Sequence, residues 1–199
     1  MNHADVELPP RIAALERDTR GYPVPYIVLR DREGTPIFTA NDVIRVFQAI
    51  KEGLCHICGQ ELDDYPWFVG GPGSAYLNGP VAVYADGPMH HECMEFALKV
   101  CPHLLGRMTK SVSPIYAEKL HAQGIQTFDN TMLPGTPEVF VALQAFEFKP
   151  SRAGGTVQYV VDKPVRKTEF WRAGELMPKK EGEKTAKRAA KKILEGLDT

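Results

Sequence analysis

The chain has 199 residues, of which 43% are hydrophobic and 25% charged, and its net charge is -1. That length and balance support one sizeable apolar core, and they exclude a disordered chain and a globally basic nucleic-acid binder. The longest apolar runs, YIVL at 26–29 and VFVAL at 139–143, fall far short of the ~20 residues of a membrane helix.

The opening MNHADVELPP has neither a basic nor an apolar segment, so no secretory signal is expected and the cytoplasm is the expected location. Residues 1–21 are polar and contain Pro9-Pro10, which predicts an extended arm, draped over the domain, with one turn of helix around 12–16. Two short apolar runs around a Gly-Pro turn predict a β-hairpin over 24–31 and 36–39. Asn41 then stands as an N-cap, and Val43, Ile44, Val46, Phe47 and Ile50 form the apolar face of a helix that stops at Gly53.

That helix delivers the chain to CHICGQEL, beginning at Cys55. Beyond it come PWFVGG, the glycine-rich GGPGSAYLNG and the strand-like VAVYA. The glycine-rich stretch lacks the Lys-Ser/Thr of a phosphate cradle, so a flexible loop over the cysteine module is expected, with Tyr76 and Asn78 on its rim. HECMEFALKV reads as a helix stopped by Pro102, with Phe96, Ala97, Val100 and Cys101 on its core side. A further helix is predicted over 113–124, from the cap Ser113 and Pro114 to Gly124. EVFVALQAFEFK, GTVQYVVDK and VRKTEFWRAG then predict one antiparallel sheet.

The chain ends in a basic helix over 182–197, within a 178–199 tail. Lys179, Lys180, Lys184, Lys187, Arg188, Lys191 and Lys192 stand there against four acids. It reads as a solvated amphipathic helix docked by Ile193 and Leu194, or as a contact along phosphates or an acidic partner. The strand aromatics Trp67, Phe68, Phe146, Phe148, Tyr159, Phe170 and Trp171 read as core, with base stacking as the alternative.

Cys55-x-x-Cys58 and His90-x-x-Cys93 carry the sharpest chemistry. CxxC spacing without an export signal points to thiolate ligation rather than disulfides, and two pairs complete the four ligands of a structural zinc. His91 is the alternative histidine. His56, inside the knuckle, is expected to face solvent, and His103 to be a surface or capping residue. Cys101 is ~12 Å of helix beyond Cys93, too far for the same ion, and reads as a buried core thiol.

With a knuckle first and a helix N-terminus second, the pattern resembles a treble-clef zinc finger. Four ligands leave no open position, which favours a structural metal over a catalytic one. Nucleases of the HNH type also place cysteine pairs around a hairpin, but no histidine occurs from Gly59 to Met89. An enzyme acting on nucleic acid or a nucleotide would have to recruit His91 and Glu92. The deaminase order, His-x-Glu before Pro-Cys-x-x-Cys, is absent.

Thr19-Arg20-Gly21-Tyr22-Pro23-Val24-Pro25, LCHICGQEL and HHECMEFALKVCPHL together resemble a set of uncharacterised bacterial and phage proteins, and VRKTEFWRAGEL resembles their C-terminal segment more loosely. The resemblance implies the zinc-ligand pairing and a bacterial or phage setting, and carries no reaction. The expected fold is α+β: residues 22–177 form one domain with a zinc module at about 54–102 packed on an antiparallel sheet. The expected function is a non-enzymatic zinc-stabilised protein that binds nucleic acid or a host macromolecule. A phage scaffold component is a further alternative.

Overall fold

Alternation along three strands divides the core of this molecule into two halves. A computed structural model describes residues 6–102, 104–105, 118, 122, 137–153 and 156–197. Strands β3 (Trp67–Gly70), β5 (Phe140–Gln144), β8 (Lys167–Arg172) and β9 (Glu175–Leu176) form an antiparallel sheet in the order β3-β5-β8-β9. Because successive side chains point to opposite faces, its register assigns each residue a side. Phe68 opposes Leu143 and Val141 opposes Phe170, and all four enter one apolar cluster. Val69 opposes Ala142 and Phe140 opposes Trp171, and these enter the other cluster with Cys55, Cys58 and Cys93.

Two shorter sheets flank this one. β4 (Val81–Tyr84), β7 (Thr156–Asp162) and β6 (Phe148–Ala153) pair in the order β4-β7-β6, and β1 (Val28–Arg30) pairs with β2 (Pro36–Asn41). The single C-terminal sheet expected from the sequence is therefore split between two sheets. The break falls within 138–149: Ala145 donates its backbone N–H to the Pro66 carbonyl at 3.0 Å, Phe146 turns outward, and β6 leaves for the other sheet.

The expected hairpin is present as β1 and β2, with Asp31 accepting from the Glu33 and Thr35 amides across the turn. Helix α2 (Val43–Glu52) is capped by Asp42, whose carboxylate accepts from the Ile44 and Arg45 amides, while Asn41 ends β2 instead of capping. Gly53 closes α2 in the left-handed conformation, φ 66°. Val46 and Ala49 are buried, whereas Val43, Ile44 and Phe47 are exposed, so the expected apolar face is only partly packed among the described residues.

Helix α1 (Pro10–Ala13) is the one turn of the N-terminal arm, starting earlier than expected because Pro10 supplies a preset φ at its first position. Its Ile12 is fully buried against the cysteine cluster, so the arm belongs to the core. The glycine-rich stretch holds the short helix α3 (Pro72–Tyr76), which packs on β4 and the C-terminal helix. It does not form the expected loop over the cysteine module.

Helix α4 (His91–Val100) buries Met94 and Leu98 as well as Phe96 and Val100, while Ala97 and Cys101 are half-buried. The tail is α5 (Lys179–Leu197), begun before Gly182 and docked by Gly182, Thr185, Ala186 and Ala190, with Ile193 half-buried. Leu194, expected to dock, is exposed because it projects from the flank of that face. The helix expected over 113–124 lies outside the described residues except Glu118 and Ala122, both helical, and His103 also lies outside them. Among the described residues no helix is long and apolar enough to cross a membrane.

Candidate metal centre

The first pair of ligands sits on a turn that backbone hydrogen bonds close. Leu54 bridges to Glu61, Cys55 donates its N–H to the Gln60 carbonyl at 2.8 Å, and the Gly59 N–H reaches the Cys55 carbonyl at 2.9 Å. Gly59 has φ 71°, and a Cβ there would lie 2.6 Å from the Tyr26 ring, so both backbone and space require glycine. The second pair is placed by β3. Trp67 and Met89 exchange both backbone hydrogen bonds, at 2.8 and 3.0 Å, which sets His90 at the N-cap of α4 and Cys93 in its first turn. His56 N–H to the Pro88 carbonyl, 3.0 Å, ties the two halves together.

Cys55, Cys58, His90 and Cys93 are all buried, and their ligand atoms lie within 4.8 Å of one another. The His90 Nδ1 is 3.3 Å from the Cys58 sulfur and 3.8 Å from that of Cys93. A tetrahedral ion with sulfur at ~2.3 Å and nitrogen at ~2.0 Å separates its ligands by roughly 3.5–3.8 Å, so the cluster has the right size for one. The other ring nitrogen, Nε2, donates to the Glu61 carbonyl at 2.9 Å. That bond fixes the tautomer in which Nδ1 offers its lone pair, as an outer-shell partner of a ligating histidine does.

The thiols carry the same message. Hydrogen bonds from Cys58 and Cys93 hold Cys55 far below the ordinary thiol range. The hydrogen bond to Cys55 pushes Cys58 up to about 11 and raises Cys93 as well. One negative charge among three sulfurs thus opposes the next, and a bound dication is what lets all three be thiolates together.

His91, the alternative ligand, faces elsewhere. Its Nε2 lies 3.0 Å from a Glu169 carboxylate oxygen and its ring rests on Trp67 with centroids 4.7 Å apart. Hydrogen bonding to Glu169 raises its pKa; burial alone would raise that of Glu169, but the His91 contact outweighs it and the carboxyl is held low. Glu92 pairs instead with Arg11 of α1 at 3.3 Å. The two residues considered as a catalytic pair therefore point to different partners. Cys101 is half-buried at the end of α4 and stands outside the cluster.

His56 corrects an expectation. It is 3% exposed, not solvent-facing: its Nε2 lies 3.0 Å from the Tyr159 hydroxyl and a Cβ on Gly87 would come within 2.1 Å of its ring. Its Nδ1 is buried without a partner among the described residues, and burial pushes its pKa down from 6.5 to about 4. Between these values the unfolded chain binds a proton that the folded chain refuses. Stability therefore falls as pH drops from about 6.5 to about 4, by up to about 3 kcal/mol from this group. Urea unfolding in excess zinc should show that fall in the wild type and a shallower one in His56→Gln; equal slopes would remove the assignment.

Of the strand aromatics, Trp67, Phe68, Tyr159, Phe170 and Trp171 are core, which overturns stacking for them; Phe148 is half-buried and Phe146 is 51% exposed. Lys184, Lys187, Arg188, Lys191 and Lys192 are all exposed along α5. Glu61, Glu169 and Arg11, which position His90, His91 and Glu92, carry no local sequence signal, since each acts from a distant part of the chain. No protein family, curated protein or solved structure matches the chain. The arrangement itself is a closed set of three sulfurs and one nitrogen, suited to holding a soft or borderline cation between a knuckle and a helix.

Proposed function

We propose that the protein is a cytoplasmic, non-enzymatic binding protein, stabilised by a structural zinc in a treble-clef-like module, that contacts nucleic acid through the outward face of α5. Zinc suits a Cys3His set, and four protein ligands leave no position for a reacting water. The observation that carries the partner is a lysine stripe. Lys180, Lys184, Lys187 and Lys191 recur at helical spacing on the side away from Gly182, Ala186 and Ala190, over about 16 Å.

Lys180 and Lys184 have no acidic partner among the described residues, while Lys187 pairs with Glu183 at 2.6 Å and Lys191 with Glu195 at 3.7 Å. Such exposed pairs are weak, so phosphates can displace the carboxylates. The resemblance of the motifs to bacterial and phage proteins makes an acidic host protein the alternative partner.

Fluorescence anisotropy with single- and double-stranded oligonucleotides across a salt series tests the reading. Replacing all four stripe lysines by alanine should weaken binding uniformly over sequences. It should also flatten the log-log salt slope by about 3, with unchanged melting temperature. Wild-type protein that fails to bind at low salt, or a variant that binds equally well, would overturn it.

A further inference from the structure

Three strand ends meet at one end of the central sheet and build a second surface there. Asp64 and Tyr65 lead into β3, Gln144 and Phe146 leave β5, and Arg166 and Lys167 open β8. Backbone bonds hold them together: Ala145 N–H to the Pro66 carbonyl at 3.0 Å and Arg166 N–H to the Gln144 carbonyl at 2.8 Å. Next to them a cavity of about 280 Å³ opens, walled by Asp63, Asp64, Tyr65, Trp67, Gln144 and both His90 and His91, so that it borders the metal centre.

Polar groups in and around this cavity are sorted by type. On its wall, Asp63 is engaged by Arg11 at 3.6 Å, but Asp64 has no partner among the described residues. Gln144 donates through Nε2 to the Tyr65 carbonyl at 3.2 Å, and its Oε1 is buried with no donor among the described residues. A buried acceptor without a donor is costly unless a bound species supplies one. Cations stand nearby: Arg166 and Lys167 are both exposed, and each is tied by its backbone to Gln144, Arg166 through its N–H to the Gln144 carbonyl and Lys167 as its partner in the sheet.

Beside the mouth lies an aromatic platform. Tyr65 is 36% exposed and Phe146 51%, their rings meet edge to face at 5.9 Å, and the Arg166 guanidinium lies 4.2 Å over the Tyr65 centroid. The exposed Phe146 ring and the outer plane of the guanidinium stacked on Tyr65 are flat surfaces on which a planar heterocycle can lie.

A ligand that fits therefore has a flat ring, several N–H donors at one edge and a negative charge at the other end. We propose that this cavity binds a nucleoside phosphate, with guanine the favoured base. The guanine Watson–Crick edge presents adjacent ring and exocyclic N–H groups, which one carboxylate accepts as a pair. Asp64 takes that edge, the base lies against Phe146 and the Arg166–Tyr65 stack, and the outward N–H groups of Arg166 with the Lys167 ammonium face the phosphate. The cavity and the lysine stripe of α5 share no residues, so this site stands or falls apart from the nucleic-acid reading.

Calorimetric titration of the zinc-loaded full chain with GMP, IMP, AMP, CMP and UMP tests it, with tryptophan fluorescence as a second readout. GMP should bind most tightly, and IMP, which lacks the exocyclic amine, more weakly. Asp64→Asn should reduce the preference for GMP over AMP by about tenfold. Arg166→Gln should weaken all five nucleotides, and the four-lysine variant of α5 should bind GMP as the wild type does. Both single changes are at exposed side chains, and circular dichroism checks that the fold is kept. No binding at millimolar nucleotide, equal affinity for all bases, an unchanged preference in Asp64→Asn, or tighter binding of free L-arginine than of GMP would each overturn the proposal.

Discussion

Cys93→Ser is expected to lose the bound metal and to lower the melting temperature by about 10 °C or more. Metal binding to sites of this kind is folding free energy, worth ~10–16 kcal/mol in zinc-finger peptides, against a net stability of ~5–15 kcal/mol for a whole domain. Cys93 is fully buried, and its cluster also holds Ile12, Trp67, Met94 and Leu98, so the metal centre is packed by the N-terminal arm, β3 and α4 alike. Even if most of the metal's contribution is offset by residual packing, a loss of ~4 kcal/mol shifts the midpoint by ~8–16 °C at this size. Cys58→Ser should behave in the same way. Cys101→Ser, outside the cluster, should retain metal and midpoint. Metal analysis alongside thermal unfolding decides the matter; full retention in both cluster variants would mean that the cysteines are merely core residues.

Gly182→Ala should destabilise the protein although alanine is the better helix former. In α5 the exchange gains ~1 kcal/mol of helix propensity. Against that, a Cβ at this position would lie 2.2 Å from the Phe170 Cβ, an atom fixed to the backbone of β8 and 1% exposed. Neither atom can rotate away, so the helix must shift off the sheet and the contacts of Thr185, Ala186 and Ala190 loosen with it. Overpacking of this kind costs ~1–3 kcal/mol, and loss of part of the docked face adds to it, so the net expectation is a loss of about 2 kcal/mol. Gly196→Ala provides the contrast, because a Cβ there meets open space and only the propensity remains. Urea midpoints of the two variants should move in opposite directions, and a stabilised Gly182→Ala would show that α5 does not seat on Phe170.

Much of the candidate metal centre was legible in the chain because metal ligation is written as spacing. Cys55 with Cys58 and His90 with Cys93 are local pairs, and the knuckle glycine and the helix start beside them are local as well. Spacing favours His90 over His91 but does not decide between them. The choice turns on the Glu61 carbonyl, which orients one ring, and on Glu169, which captures the other. His56 was misread for the same reason, since its burial is created by Gly87 and Tyr159 rather than by its neighbours in the knuckle.

Periodicity located β5, β6, β7 and β8 but carried no instruction about which strands pair. The division into two sheets depends on the bend at Ala145, where the partner is Pro66. On α2 the apolar residues mark a helix correctly, yet Ile44 is 79% exposed, because a pattern cannot say whether the facing surface is another element of the fold. The glycine-rich stretch reads as loop from composition. Pro72 at a helix start and a docking surface on α5 make it a short helix instead.

X-ray absorption at the zinc edge, on protein purified with its native metal, reads the Cys55, Cys58, His90 and Cys93 centre directly. One zinc per chain is expected, with three sulfur ligands at ~2.3 Å and one nitrogen at ~2.0 Å, the imidazole lost in His90→Ala and retained in His91→Ala. A shell of four sulfurs, an oxygen in the first shell, or an imidazole signal that disappears with His91 would contradict that assignment.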